Sequence, residues 1–282
     1  MKKNIYLAVL LCVGCLGWAT MTFAQEEEDN RPISPPFGAE LLIDNQTTVN
    51  PGKGGFSMEI QHRFSKIEKI DDIFGIYGSA NTRIGFNYGI TDWAMVGIGT
   101  TRDYMLQDLN WKFRIFTQSR SGKTPVSLSY FGNAVLDARP DENFGPEENY
   151  RFIHRLSYLN QLIVSRAFGS RVSLQVAPTF VYNNSVPEGF KNANASIYAG
   201  GKFQVLGFHS IILEYNQPIL KTDEDVYPNL AAGVEIGTST HSFRVFVTNY
   251  NSIILNRSIS YNQNNFFDGD IMFGFNITIR FR

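Results

Sequence analysis

Residues 269–282, GDIMFGFNITIRFR, place Ile271, Phe273, Phe275, Ile277, Ile279 and Phe281 at alternate positions, with Asn276, Thr278, Arg280 and Arg282 between them. Successive strand side chains point to opposite faces, so this pattern predicts a strand with one apolar and one polar face. The alternation recurs along the chain. Phe56, Met58, Ile60, His62 and Phe64 oppose Glu59, Gln61 and Arg63, and Thr82, Ile84, Phe86 and Tyr88 oppose Arg83 and Asn87. Leu109, Trp111, Phe113 and Ile115 oppose Asn110, Lys112 and Arg114, and Val172, Leu174, Val176, Pro178, Phe180 and Tyr182 oppose Ser173, Gln175 and Thr179. Further runs at 92–101, 125–135, 150–166, 195–206, 210–217, 229–237, 241–249 and 270–282 bring the prediction to about twelve strands. The phase is ambiguous at 150–166, where a bulge is one explanation. Helical periodicity is weak.

The connections sharpen this reading. Longer segments (65–78, 101–108, 136–149, 183–194, 218–228 and 250–269) alternate with shorter ones (90–92, 118–124, 167–170, 207–209 and 238–240). A soluble sandwich has no reason to hold that phase, whereas an outer-membrane barrel puts short turns in the periplasm and longer loops outside. Closure also disposes of the long apolar edge at the C-terminus, because a barrel pairs its last strand with its first and turns the apolar face to lipid. Strands of about ten residues suit a tilted span. Tyr88, Trp93, Trp111, Phe168, Phe208, Tyr215 and Tyr250 sit near strand ends, where an interfacial aromatic girdle is expected. The fold class predicted is all-β, a closed antiparallel transmembrane barrel occupying residues 51–282.

The other end of the chain supports an envelope location. Lys2 and Lys3 precede an apolar stretch from Ile5 to about Trp18, followed by Thr22-Phe23-Ala24, which together form a secretory signal with cleavage after Ala24. The stretch is short for a membrane anchor. A lipoprotein signal on Cys15 is disfavoured because Cys12 occupies a position that wants an aliphatic residue. Cleavage would remove both cysteines and two of the 25 basic residues but none of the 26 acidic ones, leaving about 258 residues at a net charge of about −3. Such a chain offers no basic stripe for nucleic acid and no cysteine for a disulfide. Residues 25–50 open acidic and Pro-rich and are expected to form a solvated N-terminal periplasmic extension.

The run from LLIDNQTTVN (41–50) through TRIGFNYGITDWAMVGIG (82–99), RLSYLNQLIVSRAF (155–168), RVSLQVAPTF (171–180), FRVFVTN (243–249) and GDIMFGFNITIRF resembles an uncharacterised Bacteroidetes outer-membrane β-barrel family, a domain of unknown function. The resemblance covers nearly the whole chain from about residue 41. It implies a barrel in the envelope and carries no catalytic residues. The last strand also resembles the terminal signal read by the barrel assembly machinery, except that Arg282 follows Phe281.

Enzyme chemistry finds little purchase in this sequence. Barrel phospholipases place His and Ser two apart on a strand, and none of His62, His154, His209 and His241 has Ser at that spacing. No histidine pair suggests a metal, and no cofactor is expected. Gly97–Gly99 and Gly200–Gly201 lack a following helix, and read as relief of crowding in strands. Asp71–Asp72, Asp141–Glu142, Glu147–Glu148 and Asp223–Asp225 could hold cations bridging lipopolysaccharide, but match no defined Ca²⁺ loop and read more simply as solvated loop charges.

Alternation leaves Glu59, Arg63, Arg83, Lys112, Arg114, Glu214, Glu235, Arg244 and Arg280 facing the lumen. Such mixed charge suits a narrow pore or a plug of ion pairs, and a twelve-stranded barrel lies between the filled and the open sizes. The function expected is a passive channel or transport component for small solutes, non-enzymatic, in contact with outer-membrane lipid and lipopolysaccharide. The alternatives are a non-conducting structural or interaction barrel and, more weakly, a lipid-modifying enzyme. Opposed rows are also expected, with a basic wall on the early strands across from Glu214 and Glu235, weakly favouring small anions.

Overall fold

The computed structural model describes residues 29–34, 36–68, 75–144 and 147–281. The expected signal peptide, the Asp71–Asp72 pair and Arg282 lie outside these residues. Twelve antiparallel strands follow one another around the wall: β1 (Phe56–Lys66), β2 (Asn81–Gly89), β3 (Ala94–Thr101), β4 (Leu106–Phe116), β5 (Ser127–Asp137), β6 (Leu156–Phe168), β7 (Val172–Asn183), β8 (Ala193–Leu206), β9 (His209–Pro218), β10 (Asn229–Gly237), β11 (His241–Thr248) and β12 (Met272–Phe281). β12 closes on β1 with Phe56 opposite Phe281, Ile60 opposite Ile277 and His62 opposite Phe275. The apolar C-terminal strand therefore has no free edge, and its outward Phe281 and Phe275 rings pack against Phe56 and His62.

Facing follows the alternation. Leu174, Val176, Phe180 and Tyr182 of β7 are exposed on the outer surface, while Gln175 and Thr179 are buried inside. Of the expected girdle, Tyr88, Trp93, Phe168, Phe208 and Tyr215 are exposed. Tyr250 is not: it lies inside the barrel, because the chain leaves β11 at Thr248 and turns inward. Where the wall is crowded, glycine makes room. A Cβ on Gly85 or Gly99 would stand 2.5 Å from the Arg83 guanidinium, and one on outward Gly132 would collide with the Trp111 ring that covers it.

Connection lengths depart from strict alternation in two places. β4 begins at Leu106, so residues 102–105 make a tight turn with Tyr104 and Met105 at φ 55 and 50. The connection 117–126 at the opposite end is longer, and it pairs with the N-terminal residues through Ile33 N–H to Gln118 O (3.0 Å) and Arg120 N–H to Arg31 O (3.0 Å). In the ambiguous 150–166 stretch, Phe152–Arg155 forms a helical turn and β6 starts only at Leu156.

The largest departure concerns the extension. Phe37 and residues 39–48 are not solvated but buried inside the barrel, with Gly38 between them exposed. From the other end the connection 249–271 also folds inward, carrying α1 (Leu255–Tyr261) with Leu255, Asn256, Ser258, Ile259 and Ser260 buried. Among the described residues no helix is long and apolar enough to cross a membrane.

Candidate functional site: the plugged lumen

The inner segment is a tight hairpin. Leu41 bridges Gln46, Leu42 N–H donates to Asn45 O (3.0 Å) and Thr47 N–H donates to Glu40 O (2.7 Å). Asp44 and Asn45 favour such a turn, since both tolerate its backbone angles. A reverse turn leaves N–H groups unpaired at its tip, and a buried unpaired N–H is costly. The wall supplies their acceptor: the Glu214 carboxylate of β9 accepts from Ile43 N–H (2.7 Å), Asn45 N–H (3.2 Å), Asp44 N–H (3.3 Å) and the Asn45 amide (2.9 Å).

Other strands grip the hairpin from around the lumen. Arg63 of β1 pairs with Asp44 at 2.5 Å, both side chains fully buried, and Gln61 donates to the same carboxylate at 2.7 Å. Lys112 of β4 donates to Gln46 Oε1 (2.9 Å), Gln161 of β6 to Asn45 Oδ1 (3.2 Å), Gln175 of β7 to Gln46 O (3.0 Å) and Asn276 of β12 to Ile43 O (2.6 Å). Thr48 and Ser165 share a hydroxyl bond of 2.7 Å. Phe37, Leu42 and Ile43 pack with inward Ile212, Ala231, Phe246 and Tyr250. Leu255 and Ile259 of α1 pack with Phe131, Leu159, Ile163, Ala177, Val181 and Tyr198. Between the two inserts remains a cavity of about 40 Å³, bounded by Asp44, Arg83, Asp108 and Asn256 among others.

The nine charges expected at the lumen fall into distinct settings. Glu59 and Arg83 join Asp108 in a network confined to the wall: Arg83 reaches Asp108 with both Nε and Nη2 (2.8 Å each) and Glu59 at 3.2 Å. Glu235 lies between Arg244 (2.9 Å) and Lys202. Arg63, Lys112 and Glu214 hold the hairpin, as above. Arg114 and Arg280 stand half-exposed at the end that bears the termini, Arg114 donating to Asp92 O (2.5 Å) and Arg280 to Gly38 O and Thr238 O. Among the described residues the expected opposition of basic and acidic walls is absent, because each buried cation has a carboxylate or amide on a nearby strand or on the hairpin. Charges on adjacent strands cancel at close range, where pairing is strongest.

Asp108 and Lys202 were missed by the pattern, the first because 101–108 reads as a loop. Asp44 and Glu40 were assigned to solvent. The histidines are scattered: His62 stacks on Phe275 outside the barrel, His154 lies in the 138–155 connection, and His209 and His241 begin β9 and β11.

At the outer end Tyr104 is sandwiched between two guanidinium groups, with Arg257 at 3.5 Å and Arg139 at 4.3 Å from its ring centre. Burial raises the pKa of Asp103 beside them, against the pull of both arginines. The same cause pushes the Tyr261 hydroxyl up to about 12.

A family model described as "Membrane bound beta barrel domain (DUF5777)" matches residues 37–281. The chain belongs to that family. Its match begins at Phe37, just ahead of the hairpin, so hairpin and wall fall within one domain. No curated protein matches in sequence. Among solved structures the chain is similar to the NanC porin, at 6% identity and TM-score 0.50, covering 80% of this chain and 99% of that one. Others are the COG4313 outer membrane channel from Pseudomonas putida F1 (9%, 0.48, 83% and 97%) and the KdgM porin (8%, 0.45, 80% and 98%). At these identities the likeness is one of fold.

Proposed function

We propose that the protein is a gated passive channel for small solutes in the outer membrane, closed in this conformation by residues 37–48. The observation that carries the reading is that a separate stretch of chain, not the wall's own side chains, fills the lumen. A purely structural barrel of small bore is filled by its strands. Here the bore accommodates a whole hairpin, and the wall that grips it is mostly Gln, Asn, Ser, Thr and charged residues that water would also solvate, interrupted by an apolar patch of Ile212, Ala231 and Phe246 under Leu42 and Ile43. The barrel is membrane-bound by family, and the fold shared with the NanC porin supports an outer-membrane setting. Export through a signal peptide cleaved after Ala24 completes the reading, together with insertion by the barrel assembly machinery and contact of the outer loops with lipopolysaccharide.

The dense bonding of the hairpin favours a second reading, a non-conducting barrel whose lumen is permanently sealed. Planar-bilayer recording separates the two. The full mature chain should give rare openings, and Glu214→Gln, which weakens the acceptor for three backbone N–H groups, should raise their frequency. Absence of openings in both proteins at every voltage favours the sealed barrel. Fractionation with the outer membrane and an N-terminus at Gln25 test the location.

A further inference from the structure

Above α1, at the end away from the termini, lies a vestibule of about 410 Å³ that the sealed lumen does not use. That volume suits a ring-sized organic molecule. Its lining combines three guanidinium groups, Arg139, Arg155 and Arg257, with the amides of Asn143 and Asn183 and the rings of Phe144 and Tyr261. Two of the arginines are already committed. Arg139 is held bidentately by Asp137 (2.7 and 2.9 Å), and Arg155 is anchored by Asp141, the Tyr150 hydroxyl (2.5 Å) and the carbonyl of Asp137 (2.8 Å).

Arg257 differs. Among the described residues its guanidinium has no hydrogen bond or ion pair, and its buried Nε has no partner. It is held only by stacking on Tyr104 and Tyr261, at 3.5 and 4.9 Å from their centres. A guanidinium fixed in this way keeps its terminal Nη1/Nη2 edge unpaired, and such an edge matches a carboxylate bidentately. Stacking positions the group in advance, so little rotamer entropy remains to be lost on binding. Asp103 is the acid that acts on Arg257 electrostatically, from the neighbouring turn, and it makes no ion pair with it. The vestibule therefore contains a preset carboxylate donor, two further arginines fixed by the loops, and amide and aromatic surface for the body of a ligand.

We propose that this vestibule binds a ring-sized organic carboxylate, with Arg257 as the residue that takes the carboxylate. Binding at equilibrium needs no current, so the site stands or falls separately from the channel reading.

The test is titration calorimetry on the detergent-solubilised full mature chain with benzoate and with glucuronate, against their neutral counterparts benzyl alcohol and glucose. At least one acid should bind about tenfold or more tightly than its neutral counterpart, and raising NaCl from about 0.1 to about 1 M should weaken it. Arg257→Gln should lose that preference while still running heat-modifiably as a folded barrel, and Arg257→Lys should retain part of it. If the Gln variant does not fold, the wild-type comparison of acid with neutral counterpart decides. Neither acid binding better than its neutral counterpart, or a folded Arg257→Gln variant binding like wild type, overturns the proposal.

Discussion

Asp44 joins three parts of the molecule. It sits at the tip of the inner hairpin, pairs with Arg63 and Gln61 of the wall, and interacts with Tyr250 at the root of the inward connection. Removing one partner of a buried ion pair costs about 3–5 kcal/mol, because the other charge is left desolvated and alone. In the closed state Asp44→Ala leaves Arg63 in that position, whereas in an open lumen water would solvate it. The substitution should therefore favour the open state by roughly a hundredfold or more, read as open probability in bilayer recordings. Unchanged gating in a folded Asp44→Ala protein would show that the hairpin is not the gate. The charge of Glu214 and its inward facing were legible in the sequence. Its role was not, since the turn whose N–H groups it accepts lies far away in the chain, and nothing local to SIILEY announces a buried anion receptor. Asp108 was hidden because β4 starts with Leu106 inward and Gln107 outward, which reverses the expected polarity just after the turn run TRDYM.

The strands were the most legible elements, because a wall with lipid on one side and polar contents on the other imposes period two. Val176 of β7 faces outward near mid-strand, so Val176→Arg should lose about 2–4 kcal/mol or fail to assemble, while Val176→Leu should be nearly neutral in a urea titration of the folded barrel. Equal behaviour of the two would contradict the facing. The glycines of β2 and β3 set a second test. Gly99→Ala puts a methyl 2.5 Å from both Arg83 and Asp108, and the shift this forces should cost roughly 1–3 kcal/mol in the same titration. Where the alternation blurred, at 150–166, the blur had a cause. Leu159 and Ile163 face inward against Leu255 and Ile259 of α1, so β6 is apolar on both faces. Inward Ile212 of β9 and Phe246 of β11 carry the same mark against Leu42 and Ile43. Apolar residues on the lumen face of a barrel strand are thus a sequence signal for a plug, one that a purely periodic reading discards as noise.

The whole molecule is one ring of wall filled by two inserts that enter from opposite ends. The hairpin is tied at both of its ends, by pairing of residues 31–33 with the 117–126 turn and by Gly54 N–H to Gly89 O at 2.8 Å. It is held in the middle by polar contacts, most of which water could replace, and by the packing of Leu42 and Ile43 on Ile212 and Phe246. Local composition could not reveal this, since QEEEDNRPISPPFGAE reads as solvated, and the polar residues that follow it are inside because the lumen is polar too. Whether the hairpin closes the lumen is decided by the conductance of the mature chain lacking residues 25–48, compared with the intact mature chain, both confirmed as folded by heat-modifiable migration. The truncated barrel, which keeps α1 in its lumen, should carry a steady current well above that of the intact one, which is almost always closed. A folded truncated barrel that passes no more current than the intact chain would contradict the claim that residues 37–48 close a channel.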